Sequence, residues 1–166
     1  MKRVLVIGSS GAGKSTLAKK LHNILHLPLI HLDKHYWRPG WVRPEETEWG
    51  KDIKELLEKE EWIMDGNYQS TLDIRIPRAD TIIFMDVPHF VCLFRIIKRG
   101  LTERKKREVA PGCFEKLDWK FIRYVWTFPS HKRPDILKLL QTYKNEKEIH
   151  VIHSEREMLG FLKNLK

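Results

Sequence analysis

Gly8-Ser9-Ser10-Gly11-Ala12-Gly13-Lys14-Ser15-Thr16 follows directly on the apolar run Val4-Leu5-Val6-Ile7. The nine residues match G-x-x-x-x-G-K-[ST], the phosphate-binding P-loop pattern, at every required position. The glycines allow the backbone to curl so that successive N–H groups point inward at phosphate oxygens. Because the apolar run favours a buried strand and an amphipathic segment follows the loop, we expect a strand–loop–helix unit here. The stretch predicts a site for a nucleoside triphosphate.

Two side chains of this loop have predicted roles beyond those of its backbone. Lys14 is expected to reach the β- and γ-phosphates of ATP, and the Ser15 hydroxyl is placed to ligate Mg²⁺. The helix that begins here adds the positive end of its dipole to the anion site. The alternative is a glycine-rich turn with an unrelated lysine, which does not require the flanking strand and helix that the sequence indicates.

Apolar runs and amphipathic segments alternate along the rest of the chain. Strands are predicted where short apolar runs occur, at residues 4–7, 28–32, 62–64, 81–85 and 149–152. Helices are predicted between them, including one opened by Pro44, one from about Phe90 and one capped by Ser154. Residues 34–43 are expected to contain little helix. The alternation predicts a three-layer α/β P-loop NTPase fold, a five-stranded parallel sheet with helices on both faces, as a single domain across residues 1–166.

The composition limits the classes of partner. The chain has 166 residues, 42% of them hydrophobic, which is enough for one well-buried core. The formal net charge of +9 indicates anionic partners, so nucleotides, nucleic acid and acidic membranes stay open on charge alone. No apolar run approaches a membrane span, and the first strand begins too early for a signal peptide. Cys92 and Cys113 show no metal-ligand or disulfide spacing, so we expect a cytoplasmic protein.

Acidic residues follow the second, third and fourth predicted strands, at the edge where such sheets bind ligands. Asp65 precedes Gly66, a pattern typical of a carboxylate that orders the Mg²⁺ shell, although a strand-end Asp also makes turns. Asp33 is a candidate to hold an acceptor hydroxyl or to act as its base, or else it is a structural cap. Asp86 precedes Val87-Pro88, which favours a structural stop.

Residues 95–107 carry seven Lys or Arg side chains against a single acid. Arg95 and Arg99 lie four apart, so they share a helix face and are predicted to close over the triphosphate. The basic residues at 104–107 are instead expected to form a solvated charge run. We therefore predict a short helical lid region around residues 95–130.

An aromatic and basic segment separates Asp33 from Pro44. Tyr36, Trp37 and Trp41 within it are candidates to stack on a base or on another flat acceptor. The same side chains are compatible with core packing beneath a loop. Both interpretations stay open at the level of sequence.

Together these residues resemble the P-loop small-molecule kinases related to adenylate kinase. More closely, the chain is similar to the FlaR-like proteins commonly labelled DNA topology modulation proteins. Besides the P-loop, the resemblance rests on segments spread over nearly the whole chain: His31-Leu32-Asp33, Tyr36-Trp37-Arg38-Pro39-Gly40-Trp41, Trp62-Ile63-Met64-Asp65-Gly66-Asn67-Tyr68 with Arg75, and Ile76-Pro77-Arg78-Ala79-Asp80. It implies a parallel sheet of order 2-3-1-4-5.

The resemblance also implies roles for particular residues. In adenylate kinases a D-G-x-x-R element serves the water shell of the metal through its Asp and grips the acceptor phosphate through its Arg. Asp65-Gly66 resembles the start of this element, and since no Arg follows at the usual place, Arg75 or Arg78 takes the gripping role. Arg95 and Arg99 resemble an R-x-x-x-R pair that packs on adenine and contacts phosphate in that family.

We therefore expect an ATP- and Mg²⁺-dependent kinase that phosphorylates a small, nucleotide-like acceptor. The residues predicted to act in transfer are Lys14, Asp33, Arg95 and Arg99. Those predicted to shape the acceptor site are Asp33, Tyr36, Trp37, Trp41, Asn67, Arg75 and Arg78, while Ser15 and Asp65 hold the metal. The alternatives are a nucleic-acid-associated regulator that uses ATP as a switch and an ATPase that needs no acceptor, although no nucleic-acid-binding motif is visible.

Overall fold

The computed structural model describes residues 1–103 and 106–165. The strands of its main sheet are β1 (Arg3–Gly8), β2 (Leu29–His31), β3 (Trp62–Asp65), β4 (Thr81–Met85) and β7 (Glu148–Ile152). A separate antiparallel hairpin is formed by β5 (Glu108–Ala110) and β6 (Cys113–Phe114). The main sheet is parallel throughout and has the order β2-β3-β1-β4-β7. The predicted order 2-3-1-4-5 is confirmed when the strands of this sheet alone are counted.

Helices cover both faces of the sheet. They are, in chain order, α1 (Lys14–Leu25), α2 (Leu32–Tyr36), α3 (Glu46–Leu57), α4 (Leu72–Arg78), α5 (His89–Thr102), α6 (Trp119–His131), α7 (Arg133–Thr142) and α8 (Glu155–Lys163). Buried side chains of α1, α5 and α8 pack on one face, and those of α3, α4 and α7 pack on the other. Helix α6 reaches both cores, through Val125 on one side and Phe128 on the other. The molecule has the three layers that the sequence predicts.

None of the helices in the described ranges combines the length and the apolarity that crossing a membrane requires.

Two predicted element boundaries are wrong. The second strand was predicted over residues 28–32, but β2 ends at His31 and α2 begins at Leu32. Residues 34–43 do contain little helix, as predicted, because α2 ends at Tyr36. The helix expected to open at Pro44 begins at Glu46, because Glu45 keeps an extended backbone with ψ of 145°. The earlier end of β2 shifts the boundary by only one residue, but it places Asp33 in the first turn of α2.

The register of the sheet brings the predicted site residues to one edge. Gly8 at the end of β1 pairs with Met85 of β4, and Asp65 at the end of β3 pairs with His31 of β2. Because the strands are parallel, their carboxyl ends meet at the same edge, where ligands bind in folds of this kind. Since β3 lies between β1 and β2, Asp65 lies between the P-loop and the segment that begins at Leu32.

Asp86 has the structural role that Val87-Pro88 suggested. Its buried carboxylate accepts two hydrogen bonds from the Arg133 guanidinium, at 2.7 and 2.8 Å. These bonds raise the pKa of Arg133 above its usual value. Because Arg133 begins α7, the pair fastens that helix to the end of β4.

Candidate active site

A cavity of about 1130 Å³ opens at the carboxyl edge of the sheet. Residues 10–16 line the part above β1, and Asp33, Tyr36, Trp37 and Trp41 line the part above β2. We call these two parts the donor end and the acceptor end. The cavity is also lined by residues of α5, the β5–β6 hairpin and α6, so the predicted lid region does face the P-loop.

The P-loop owes its shape to glycines that no other residue can replace. Gly8 has φ of +141°, and a Cβ there would lie 2.5 Å from the carbonyl oxygen of Met85. Gly11 has φ of +82°, and a Cβ there would lie 2.5 Å from the carbonyl oxygen of Cys92. Both conformations are strained for residues with a side chain, and both contacts are too short for one. The loop is therefore held tightly between β4 and α5, with Gly8 and Ser9 beneath it and outside the cavity lining.

Lys14 begins α1 and lines the cavity. Its Nζ donates to the carbonyl oxygen of Ser9 at 3.0 Å. In the part of the chain that the structure describes, no carboxylate lies within ion-pair distance of this ammonium group. A charged donor with only a neutral partner binds an incoming anion without first breaking a salt bridge.

Asp65 is buried and only half satisfied. Its Oδ2 lies 2.9 Å from Nδ1 of His31, which must donate because an ionised carboxylate only accepts. Its Oδ1 is buried without a hydrogen-bond partner. This orphaned carboxylate oxygen and the Ser15 hydroxyl, on residues that line the same cavity, are a donor set that fits Mg²⁺, which prefers hard oxygen ligands.

The oxygens of Ser15 and Asp65 would not hold a metal ion by themselves. Within residues 1–103 and 106–165, no group of three or more His, Cys, Asp or Glu side chains could hold a metal alone. Mg²⁺ characteristically binds through one or two protein oxygens together with substrate phosphates and water. Ser15 and Asp65 fit that pattern.

Arg95 and Arg99 both line the cavity, but they are held differently. Arg95 donates to the carbonyl oxygen of Gly11 at 3.5 Å and pairs with the largely exposed Glu155 at 3.1 Å. Arg99 lies 3.0 Å from Glu115, whose side chain is only 4% exposed. An exposed salt bridge contributes little to stability and exchanges partners readily, whereas breaking a buried salt bridge costs considerable free energy. Arg95 is thus the more available of the two cations.

Arg107 also lines the cavity, 3.4 Å from Glu115. The prediction of a solvated charge run is therefore wrong for this residue, because Glu115 draws it inward beside Arg99. Arg104 and Lys105 lie outside the described residues, so the prediction for them stays a prediction.

Asp33 lies at the acceptor end with one oxygen engaged. Tyr68 donates its hydroxyl to Asp33 Oδ1 at 2.6 Å. Burial of Tyr68, with the charge of Asp33 added, raises the pKa of this phenol well above its usual value. Tyr68 therefore stays protonated as a donor and fixes the orientation of a carboxylate that is itself exposed to the cavity.

The aromatic side chains at this end divide between the core and the cavity, and their stacking on an acceptor stays a prediction. Tyr36 packs edge-on against the buried Trp49 with ring centroids 5.0 Å apart, so it joins the core. Trp37 and Trp41 pack against each other at 5.1 Å and line the cavity. Cations flank both indoles, with Arg43 5.7 Å from the ring of Trp37 and Lys116 5.0 Å from that of Trp41.

The β5–β6 hairpin holds this aromatic wall in place. The indole N–H of Trp41 donates to the carbonyl oxygen of Phe114 at 3.2 Å. Cys113 donates from its thiol to the carbonyl oxygen of Arg38 at 3.1 Å, and the Gly40 amide donates to Gly112 at 3.2 Å. The lid region therefore contains a hairpin as well as helices, and the hairpin is fastened to the acceptor end.

The two arginines that the resemblance assigned to an acceptor phosphate do not lie in the cavity. Arg75 is fully buried, and its guanidinium donates to Thr71 and to the carbonyl oxygens of Gly66, Asn67 and Tyr68. Arg78 is on the outside of α4 and donates to the carbonyl oxygen of Leu57. Because its donors are used on the backbone after β3, Arg75 shapes the loop there. The prediction that these two arginines line the acceptor site is wrong.

Asn67 does lie in the cavity, at the top of β3. Its amide oxygen accepts from the N–H of Gly8 at 3.4 Å, and its amide nitrogen faces the Tyr124 hydroxyl at 3.5 Å. It thus links the base of the P-loop to α6.

Several cavity residues were not among the predicted ones. They are Arg43, Tyr68, Gln69, Glu115, Lys116, Lys120, Tyr124, Lys132 and Glu155. Tyr68 had a signal in sequence, since it follows directly on the Asp65-Gly66-Asn67 turn. The others carry no sequence pattern that is typical of a binding site.

Comparison with known proteins supports the fold at low sequence identity. No family model matches the chain. The chain is 30% identical over 118 residues to the uncharacterised protein YqaC of Bacillus subtilis, which is 67% of this chain and 63% of that protein. It is 29% identical over 118 residues to the adenylate kinase of Thermotoga maritima, which is 69% of this chain and 53% of that enzyme. The chain thus spans between half and two thirds of the length of these curated relatives.

Two solved structures share the architecture over nearly the whole chain. Shikimate kinase from Aquifex aeolicus is 17% identical, with a TM-score of 0.54 over 98% of this chain and 92% of that one. Deoxyadenosine kinase from M. mycoides, with products dCMP and a flexible dCDP bound, is 14% identical, with a TM-score of 0.53 over 98% of this chain and 97% of that one. The chain has the fold of the P-loop kinases.

Proposed function

We propose that this protein is an ATP- and Mg²⁺-dependent phosphotransferase that phosphorylates a small, flat, nucleotide-like acceptor at a hydroxyl group. The observation that carries the proposal is one cavity of about 1130 Å³ with a P-loop at one end and an oriented carboxylate beside an aromatic wall at the other. Pockets for a single small ligand have volumes of roughly 300–1,000 Å³. The cavity is large enough for a donor and an acceptor together.

At the donor end, the backbone amides of residues 10–16 and the N-terminus of α1 bind the triphosphate. Lys14 exchanges the Ser9 carbonyl for β- and γ-phosphate oxygens, and Arg95 leaves its exposed partner Glu155 to contact phosphate. Arg99, held by Glu115, adds a fixed positive charge beside the group in transfer. The 29% identity to an adenylate kinase supports an ATP-type donor.

Ser15 and Asp65 hold the metal in this proposal. When bound, Mg²⁺ neutralises charge on the phosphates. His31 keeps Oδ2 of Asp65 occupied, so Oδ1 is the oxygen directed to the metal or to its water shell.

At the acceptor end, Asp33 accepts a hydrogen bond from the acceptor hydroxyl and acts as its base or orients it. Tyr68 holds the carboxylate in position, and Trp37 with Trp41 stacks on the flat part of the acceptor. A hydroxyl suits this end better than a phosphate, because Asp33 repels an anion and the Arg75 guanidinium is fully buried against Thr71 and the backbone after β3.

We further propose that residues 1–166 act as one unit in which α5, the β5–β6 hairpin and α6 form the lid. The lid contacts both ends, because Arg95 and Arg99 lie on α5 and the hairpin holds Trp41.

Transfer of labelled phosphate tests the proposal. Purified protein is incubated with Mg²⁺ and ATP labelled in its γ-phosphate, against a panel of nucleosides, nucleotides and small polyols. We expect label to move to at least one acceptor and the Lys14→Ala variant to lose the transfer. Tight ATP binding without transfer to any panel member contradicts the proposal. Release of label to water at a rate that no acceptor changes supports the ATPase instead.

The distribution of charge favours a small ligand over nucleic acid. Arg95, Arg99 and Arg107 pair with carboxylates inside the cavity, so they do not form an open basic surface. A nucleic-acid-associated regulator predicts duplex binding that weakens steeply as salt is raised. The absence of duplex binding at about 150 mM salt excludes that alternative.

A further inference from the structure

The outer surfaces of α5 and α6 carry large apolar side chains in contact with solvent. They are Phe90, Phe94, Ile97 and Leu101 on α5 and Trp119 and Trp126 on α6. Phe94 is 67% exposed, Leu101 is 74% exposed and Trp119 is 75% exposed. Isolated exposed apolar side chains are common on protein surfaces. Six of them on two adjacent helices form an apolar patch, which is typical of an interaction site.

The apolar residues of α5 have the spacing of a helix-packing seam. Phe90, Phe94, Ile97 and Leu101 follow one another at intervals of four, three and four residues. The core-facing positions of this helix, Cys92, Ile96 and Gly100, lie on the opposite side. Since the helix already packs into its own core, the outer seam is a second apolar face. The four–three–four spacing matches the seam of a helix that packs against another helix.

Helix α6 adds a depression beside this ridge. A groove of about 460 Å³ is lined by Trp119, Ile122, Arg123, Trp126 and Thr127. The ring of His89 packs edge-on against Trp126 at 5.0 Å and against Phe90 at 5.9 Å, so groove and ridge are continuous. This face therefore carries both a projecting ridge on α5 and a groove on α6.

The exposed apolar area exceeds that of a typical monomer patch and approaches one side of a standard interface. Aromatic side chains contribute about 150–250 Å² each when fully exposed, so the exposed fractions of these residues amount to roughly 700 Å². The largest apolar patch on a typical monomer is about 300–600 Å². A stable interface of standard size needs about 800 Å² from each partner.

We propose that this face binds a second copy of the same chain, with the α5 ridge of each copy in the α6 groove of the other. An interface about a two-fold axis must be complementary to itself, and a surface that carries a ridge beside a matching groove meets that requirement. The aromatic content, with a single charged side chain, Arg123, in the groove, is also typical of interfaces between copies of one chain. The proposal is independent of the reaction that the cavity performs.

The charges around the patch give the dimer a diagnostic salt dependence. Neither α5 nor α6 contains an Asp or Glu, and the exposed Lys98 and Arg123 border the apolar residues. The acids at the ends of these helices, Glu103 and Asp118, already pair with Arg107 and Lys116. The rim is therefore basic on balance, and two identical basic rims repel each other, so added salt screens the repulsion and strengthens the dimer. Attachment to an anionic lipid surface, to nucleic acid or to an acidic protein weakens with salt instead.

Sedimentation velocity of the intact 19.8 kDa chain tests the proposal. Over about 1 to 100 µM protein, we expect a concentration-dependent species of twice the chain mass, with a larger dimer fraction at about 500 mM salt than at about 50 mM. The Phe94→Glu/Leu101→Glu double variant is expected to dimerise at least tenfold more weakly. Leu159→Glu, which changes an exposed leucine of α8, is the matched control and dimerises like the unchanged chain.

Several results overturn the proposal. One is a monomer at all concentrations and salts, and another is a dimer that the double variant forms as well as the Leu159→Glu control does. Circular dichroism checks that the double variant is folded. If it is misfolded, the Trp119→Ser variant is used in its place, with the same expected loss of dimer. Co-sedimentation of a monomer with vesicles containing phosphatidylserine, lost as salt is raised, assigns the face to a lipid surface and also overturns the proposal.

Discussion

The donor and acceptor ends of the cavity are built in opposite ways. The donor end is the contiguous stretch of residues 10–16, which we propose binds phosphate largely through backbone amides. The acceptor end is assembled from side chains on α2, the loop after it, the turn after β3, the β5–β6 hairpin and α6. One end is encoded locally, whereas the other exists only after the chain has folded.

This difference affects how each end tolerates change. The donor end depends on conformations that only glycine adopts, at Gly8 and Gly11, and on one lysine. The acceptor end depends on packing. Trp41, for example, is held against the hairpin by several contacts, so the loss of one leaves the others in place. We expect substitutions at the donor end to abolish turnover and those at the acceptor end to change substrate affinity.

Lys14→Ala has the largest expected effect. Loss of the ammonium group removes a positive charge from the phosphates in the transition state, so we expect kcat to fall at least about 10²-fold. Steady-state kinetics with the acceptor found in the screen measure it. Lys20→Ala, which removes an exposed lysine from the same helix, is the control. Near-normal turnover by Lys14→Ala would show that the donor end lies elsewhere.

Arg75→Met is expected to lower stability rather than affinity. The change leaves carbonyl oxygens of Gly66, Asn67 and Tyr68 without their donor, which costs about 3 kcal/mol in the free energy of unfolding. Chemical denaturation measures the loss, and the exposed Arg78→Ala, expected to cost less than about 1 kcal/mol, is the comparison. An Arg75→Met protein of normal stability with a raised acceptor KM would return Arg75 to the acceptor end.

Trp41→Ala separates the two ends kinetically. Removal of one wall of the stacking site should raise the acceptor KM about tenfold, since a stacked ring is worth about 1 kcal/mol or somewhat more. The KM for ATP should change less than about twofold, because the indole contacts the hairpin rather than the P-loop. A larger effect on the KM for ATP would place the triphosphate's base against this wall.

Tyr68→Phe has the smallest expected effect on rate, about threefold, because Asp33 remains but is less well oriented. Its effect on the pH dependence of stability is more diagnostic than its effect on rate. Burial raises the pKa of Tyr68 in the folded state, so its contribution to stability is present below about pH 10 and is lost as pH rises above that value. The free energy of unfolding should fall between pH 8 and pH 11. The fall should be smaller in Tyr68→Phe than in the unchanged protein, by up to about 1.4 kcal/mol for each pH unit above 10. An unchanged slope would mean that Tyr68 titrates normally.

The same contrast explains how far the sequence predicts the structure. The sheet order, the three layers and the position of Lys14 follow from periodicity, from one local motif and from a resemblance to known kinases. The positions of the aromatic side chains in residues 34–43 were left open, because Trp41 is fixed by the hairpin more than 70 positions along the chain. Arg75 was assigned to the acceptor by analogy, and only its burial shows that its donors are used on the backbone.

Glu115 could not be found from sequence for the same reason. It is one of four acids in residues 95–130, and its importance comes from Arg99 and Arg107 converging on it in space. A buried carboxylate paired with two arginines is a product of tertiary structure, so no spacing along the chain reveals it.

Matched acceptor pairs test the central claim most directly. Each pair consists of a hydroxyl compound and its monophosphate, such as a nucleoside and its 5′-monophosphate, offered with labelled ATP to the unchanged protein and to Asp33→Asn. We predict that label moves to the hydroxyl member and that Asp33→Asn slows this transfer about 10²-fold without changing the KM for ATP. Preferential transfer to the monophosphate member, unaffected by Asp33→Asn, would contradict the account of the acceptor end.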